Sequence, residues 1–238
     1  MKIQQLMQTL RLQGMHQMYS SWQETPQEAS LTLGEGLELL LKAELQNRDH
    51  RKKERLTKQA GFRYTAYPEE IIYNAKRGLD KDQVLSLADG QYIQEGKTIL
   101  ISGQTGSGKS FIASALGHQA CVQGYKTAYF NMQKLCAQLK LSRIEGSSVK
   151  FFERLAKKDL LIIDDFGLTV LDQQQRLDLM EIIEDRHRRM ATIIVSQLPF
   201  TAWYEVIGDQ TIADAIMDRL VHQSTMITLK GESLRKNL

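Results

Sequence analysis

The stretch ISGQTGSGKSFIASAL, residues 101–116, holds three glycines and a lysine within eight positions, between an apolar run and a helical one. Glycine costs backbone entropy, so the chain gives up side chains here for a reason. Gly103 to Ser110 matches the pattern G-x-x-x-x-G-K-[ST], with a predicted strand before it and a helix after it. In that setting, successive backbone N–H groups wrap a polyphosphate, and the glycines let the main chain come close. Gly103, Gln104, Thr105, Gly106, Ser107, Gly108, Lys109, Ser110 and Phe111 are therefore the candidate nucleotide-binding residues. The helix opening near Lys109 turns its positive end to the anion. Lys109 is placed to reach the outer phosphates, and the Ser110 hydroxyl to ligate Mg²⁺.

The rhythm from residue 97 onward is strand, helix, strand, helix. TILISG (98–103), TAYF (127–130), LLIID (160–164), TIIVS (192–196) and MITL (226–229) read as short buried strands. Helical patterns at 109–122, 132–142, 149–157, 172–189 and 211–222 separate them. Such alternation predicts an α/β fold: a five-stranded parallel sheet flanked by helices on both faces. In such sheets ligands bind at the carboxyl ends of the strands. The run DLLIIDDFG ends a strand with Asp164 and Asp165, beside the phosphate loop in this reading. Asp164 suits Mg²⁺, directly or through water, and Asp165 suits the attacking water. The strand TIIVS leads into Gln197, whose amide could touch the terminal phosphate or hold the water.

Upstream, residues 1–22 place Ile3, Leu6, Met7, Leu10 and Met18 at helical spacing, predicting one amphipathic helix weakened at Gly14. A second helix starts at LTLGEGLELLLKAELQ, where Thr32 and Glu35 fit a capping box and Leu37, Leu40, Leu41 and Leu45 form a stripe. It continues into a basic run: residues 42–63 hold eight lysines and arginines against three acids. Arg48, Arg51, Lys52 and Arg55 recur at helical spacing on one face, a candidate DNA surface or a protein-docking face. GFRYTAYPEE (61–70) interrupts this pattern, so the expected organisation is an all-helical domain at 1–66 and a nucleotide-binding domain at 67–238. A second basic segment, 134–158, offers Lys140 and Arg143, with SRIEGSS (142–148) expected as an exposed loop suited to phosphate contacts.

The 238 residues are 42% hydrophobic and 25% charged with a net charge of +3, the profile of an ordinary globular protein. No apolar run approaches the roughly 20 residues of a membrane span, and MKIQQLMQTLRLQG lacks the apolar core of a signal peptide. Two cysteines, Cys121 and Cys136, in helical contexts fit a reducing cytoplasm.

The set GQTGSGKS, LLIIDDFG, TIIVSQLP, WYEVIGD, ADAIMDRL and KGESLRK, with GLELLLKAELQNRDHRKKERL upstream, resembles the IstB-type ATPases of insertion sequences. These are relatives of the DnaC-type helicase loaders in the AAA+ class. The resemblance implies an ATPase, with ATP and Mg²⁺, that assembles as a homo-oligomer on double-stranded DNA and directs a cognate transposase to it. It implies catalytic roles for Asp165 and for Gln197 as a strand-tip sensor. It makes Arg219 in MDRL the arginine finger of a neighbouring subunit's ATP site, and Arg235 a second sensor. Only nine residues follow the last predicted strand, so the helical lid of many AAA+ proteins is expected to be missing. Two alternatives differ in partner or chemistry: a replicative helicase loader, and a small-molecule kinase. The kinase would need a lid and an acceptor pocket, which the DD motif and SQLP strand tip argue against.

Overall fold

Five continuous apolar runs too short for helices and β-rich in composition form the strands β1 (Thr98–Gly103), β2 (Thr127–Asn131), β3 (Leu160–Phe166), β4 (Ala191–Ser196) and β5 (Thr225–Leu229). In this computed structural model, which describes residues 2–24, 31–73, 77–222 and 224–231, they make one sheet in the order β2-β3-β4-β1-β5. Every neighbouring pair is parallel, with Ile99 opposite Ile193 and Asn131 opposite Asp164. Eleven α-helices accompany it among the described residues. The sheet order puts β3, β4 and β1 side by side, so the two acids, Gln197 and the phosphate loop leave the same edge of the sheet.

Alternation along each strand builds two apolar layers. Ile99, Ile101, Ile162, Ile193 and Val195 face one way. There they meet α6 (Lys109–Val122), α4 (Lys81–Ala88) and α5 (Gln91–Gln94) through Ile112, Leu116, Val84 and Ile93. Leu100, Leu161, Ile163 and Ile194 face the other way. They meet α7 (Met132–Ile144), α8 (Ser148–Ala156), α9 (Gln173–Arg186), α10 (Trp203–Ile207) and α11 (Gln210–Val221). Arg186 is buried among carbonyls, donating to Leu155 O, Lys158 O and Ala191 O, and its burial lowers its pKa to about 10.

The chain divides by packing into two compact units, Met1–Arg55 and Leu56–Leu238. Residues 56–66, grouped with the N-terminal helices in the sequence reading, supply the larger unit with Leu56 and Ala60 packed near Cys121 and with Phe62. The smaller unit corrects two expectations. Residues 1–22 form two helices, α1 (Ile3–Thr9) and α2 (Gln13–Glu24), and the break lies at Arg11, whose φ is 58°, not at Gly14. Gly14 sits inside α2 because α3 (Leu33–Ala60) comes very close: a Cβ there would lie 2.4 Å from Ala43 O. Glu44, buried on α3, accepts from the N–H groups of Gly14 (2.8 Å) and Met15 (3.3 Å), completing the open end of α2. The expected leucine stripe is not the packing face: Leu37, Leu41 and Leu45 are 50%, 50% and 68% exposed. Small residues decide the contact instead, with Gly36 beside the Trp22 ring and Ala43 beside Gly14. The capping box at Thr32 and Glu35 forms as expected.

The loop expected at 142–148 is shorter. Helix α7 runs through Ile144, and Ser142 is buried and donates to Leu139 O at 2.8 Å. The connection to α8 turns at Gly146, with φ 67°.

Candidate nucleotide site

The phosphate loop leaves β1 at Gly103 and enters α6 at Lys109. Gly106 and Gly108 have φ of 80° and 92°, the left-handed region that favours glycine. Gly103, with φ of 150°, is held to glycine for a second reason as well. A Cβ there would stand 2.5 Å from Leu229 O on the neighbouring strand β5. Lys109 is 7% exposed and its Nζ donates to Gln104 O at 2.8 Å, folding back over the loop. Thr105 Oγ1 donates to Gln197 Oε1 at 2.7 Å, tying the loop to the tip of β4.

The two acids are fixed by a local irregularity. The β3–β4 register shifts between Ile163 and Phe166, and Asp165 adopts φ 58°. Bulges of this kind re-aim side chains near active sites, and an aspartate tolerates that conformation better than most residues. Asp164 is 1% exposed. One of its oxygens accepts from the Tyr129 hydroxyl and the other from the Asp165 N–H (2.8 Å). Burial first, then the charge and hydrogen bond of Asp164, push the Tyr129 pKa up, so the phenol remains a donor. Asp165 Oδ2 accepts from Asn131 Nδ2 at 2.8 Å and from Arg63 Nη1 at 3.0 Å.

A cavity of about 410 Å³ joins these parts. Thr105, Gly106, Gly108, Lys109, Ser110 and Phe111 of the loop line it, together with Asp165, Gln197, Arg63, Tyr64 and Leu168. The backbone N–H groups at the start of α6 and the buried ammonium of Lys109 suit a polyphosphate. Ser110 lines the cavity and offers a hydroxyl oxygen of the hard kind Mg²⁺ takes, whereas Asp164 is not among the lining residues and both of its oxygens already accept hydrogen bonds.

Other expected residues lie elsewhere. Arg219 is in the last turn of α11, its Nε 2.5 Å from Glu184 Oε2 and its Nη1 donating to Ala215 O. Arg235 lies outside the described residues. On α3, Arg48 pairs with Glu44 at 2.7 Å and Arg51 donates to Gln13, while Lys52 and Arg55 are exposed. On α7, Lys140 is exposed and Arg143 pairs with Asp178. A broad groove of about 1030 Å³ runs along the outer side of β2, and Lys134, Arg154 and Lys158 line it.

Four contributors escaped the sequence reading. Asn131 was within reach: it ends β2 directly opposite Asp164, the same strand-tip position that singled out Gln197. Tyr129 precedes it on the same strand by two residues. Arg63 counts only as one charge in a basic run, and no spacing links it to Asp165. Arg77 is 8% exposed and donates to Ser107 O at 2.6 Å and to Ile72 O, bracing the phosphate loop from beneath. Burial lowers its pKa.

A phosphate loop after β1, paired acids ending β3 and a polar amide ending β4, in this strand order, define a P-loop domain of the AAA+ class. The chain belongs to the IstB-like ATP binding protein family, whose sequence profile matches residues 5–238. It is 42% identical over 229 residues to the insertion sequence ATP-binding protein y4pL of Sinorhizobium fredii, covering 96% of this chain and 94% of the relative. It is also 42% identical over 191 residues to the ATP-binding protein of insertion sequence IS1162 of Pseudomonas fluorescens, covering 80% and 83%. Among solved structures, the fold matches the DnaC helicase loader with a TM-score of 0.61 at 20% identity, over 70% of this chain and 98% of that one.

Proposed function

We propose that this protein is an ATP-dependent, DNA-binding regulator of transposition that assembles on target DNA and recruits or stimulates a transposase. The observation that carries the reading is the convergence of Lys109, Ser110, Asp165 and Gln197 on one cavity in a chain of the insertion-sequence ATP-binding family. In this reading the loop amides and Lys109 bind the phosphates of ATP. Ser110 and Asp164 would hold Mg²⁺, which would supply charge neutralisation for the phosphates. Asp165 orients the attacking water, with Gln197 at the terminal phosphate. ATP sites lie at the junctions of a homo-oligomer, where Arg219 acts on a neighbour's nucleotide after leaving Glu184; an arginine of that kind contributes a large rate factor. Arg235 serves as a second sensor. Arg48, Arg51, Lys52 and Arg55 of the N-terminal helical domain, with Lys140 and Arg143, contact phosphates of double-stranded DNA. The protein works in the cytoplasm.

The test uses purified protein, DNA and a candidate cognate transposase. ATP turnover should rise with DNA, and transposase activity should rise only with ATP. Lys109→Ala should lose both, because truncating one partner of a buried charge pair costs about 2–5 kcal/mol of binding. The likeness to DnaC favours a second reading, a helicase loader. A protein that leaves the transposase unaffected but places a hexameric helicase on DNA would establish that reading instead.

A further inference from the structure

The cavity contains a cation that the phosphate loop does not supply. Arg63 lines it together with Lys109, Ser110, Asp165 and Gln197. Its Nη1 donates to Asp165 Oδ2 at 3.0 Å and stands 3.7 Å from Asp164 Oδ2. The residues around it fix this position. Phe62 seats against α6 where Gly117 has no side chain; a Cβ there would lie 2.5 Å from the Phe62 ring. The guanidinium also stands over the Tyr64 ring, 5.5 Å from its centre. The Arg63 side chain is 44% exposed, and an ion pair so open to solvent adds little to folding.

Its consequence for the site is larger. Asp165 Oδ2 accepts two donors at once, Arg63 and Asn131. Those two donors occupy the lone pairs through which that oxygen would hold a water. A terminal phosphate entering the cavity brings more negative charge and more acceptor oxygens than one carboxylate. A planar guanidinium matches that group with two parallel hydrogen bonds.

We propose that Arg63 is a phosphate-contacting residue of this site. It pairs with Asp165 when no terminal phosphate is present and with that phosphate when ATP is bound, leaving Asp165 to the water. The inference rests on the ATP reading above and adds a cation supplied by the same subunit, separate from Arg219. ADP offers no γ-phosphate, so Arg63 favours ATP over ADP.

The experiment measures equilibrium affinity for a non-hydrolysable ATP analogue and for ADP, with Mg²⁺, by calorimetry. Arg63→Ala should weaken the analogue roughly tenfold while ADP stays within about twofold, as expected when a half-exposed, charge-assisted contact is removed. Arg63→Lys should recover part of the difference, since it keeps the charge and loses the paired geometry. Equal weakening of both nucleotides, or of neither, overturns the proposal and leaves a structural ion pair. Should Arg63→Ala fail to fold, Arg63→Gln, which keeps a donor for Asp165 and removes the charge, decides by the same ratio. Lys109→Ala separates the Arg63 inference from the ATP reading beneath it. If it loses both nucleotides while Arg63→Ala keeps the wild-type ratio, only the Arg63 inference fails. If Lys109→Ala binds both as the wild type does, the ATP-site reading itself fails.

Discussion

Asp164 is 1% exposed and both of its oxygens accept hydrogen bonds, whereas Lys52 and Arg55 on α3 stand in solvent. The two regions carry charge in different ways. At the carboxyl edge of the sheet, charges are buried or half-buried and each meets a specific partner: Lys109 with Gln104 O, Asp164 with Tyr129, Asp165 with Asn131 and Arg63. Along α3 the pairs are mostly local and exposed, such as Lys42 with Glu38 and Lys53 with Asp49. Exposed pairs at this spacing contribute little to stability. Chemistry that depends on position belongs to the first region. Attraction that depends on summed charge and on salt is what the second is suited to. Glu44 is the exception on α3, buried and bonded to Arg48 and to two backbone N–H groups, and it serves packing.

The largest effect should come from Asp165→Asn. It keeps the shape and the contact with Asn131 but removes the group proposed to activate water. Turnover should fall by about 10²-fold or more, with ATP still bound and the DNA-bound assembly longer-lived. Wild-type turnover would make Asp165 a structural residue and erase the contrast between the regions.

Gly14→Ala comes next, because it tests whether the N-terminal unit has one well-packed point of its own. The added Cβ meets Ala43 O at 2.4 Å. Overpacking of this kind costs about 1–3 kcal/mol. Hydrogen exchange in α2 should accelerate while ATP affinity stays unchanged. Unaltered exchange would mean that α2 and α3 do not approach as described.

Reversing Lys52 and Arg55 to glutamate should weaken duplex binding modestly and lower the slope of log affinity against log salt by ~0.9 for each phosphate that the protein no longer neutralises. Arg48→Glu is the informative companion. It also strips the buried Glu44 of its cation, so it should lower stability where the other two do not. An unchanged salt slope, with transposase stimulation abolished, would make this face a protein-docking surface.

The smallest effect concerns pH. His118 lies between the Phe62 and Tyr67 rings, tilted to the first and edge-on to the second, and its Nδ1 is buried without a partner among the described residues. Burial lowers its pKa from 6.5. The unfolded chain therefore takes up a proton first as the pH falls. The stability contribution is intact above about pH 6.5 and is lost progressively as the pH falls below it towards the folded value. Thermal unfolding between pH 7.5 and 5.5 should show a decline that His118→Gln flattens; an equal decline in both proteins would assign the effect to other groups.

Much of the candidate site was legible in the sequence. The spacing of Gly103, Gly108, Lys109 and Ser110, the strand before them and the two acids after LLII are local patterns, and each reflects a local constraint. Strands β1 to β5 lie where continuous apolar runs place them, since a strand buried on both faces has no polar alternation to hide it. The N-terminal helices were less legible. Period alone joined α1 to α2 across Arg11, and it chose the leucine stripe over Gly36 and Ala43 as the packing face of α3.

By itself, then, the sequence determined the phosphate loop, the Asp164–Asp165 strand end, the parallel sheet and the family. Each is written in residues that are close along the chain and obey one geometric period. Only the tertiary structure decided that Arg63 meets Asp165, that Asn131 shares the same carboxylate oxygen, that Arg77 braces Ser107 and that Glu44 closes the start of α2. Arg63 and Asp165 are 102 residues apart, and a pairing across such a distance imposes no spacing on the chain between. It comes from the sheet order, which brings strand ends together, and from close approaches such as Phe62 at Gly117, which no local rule can foresee.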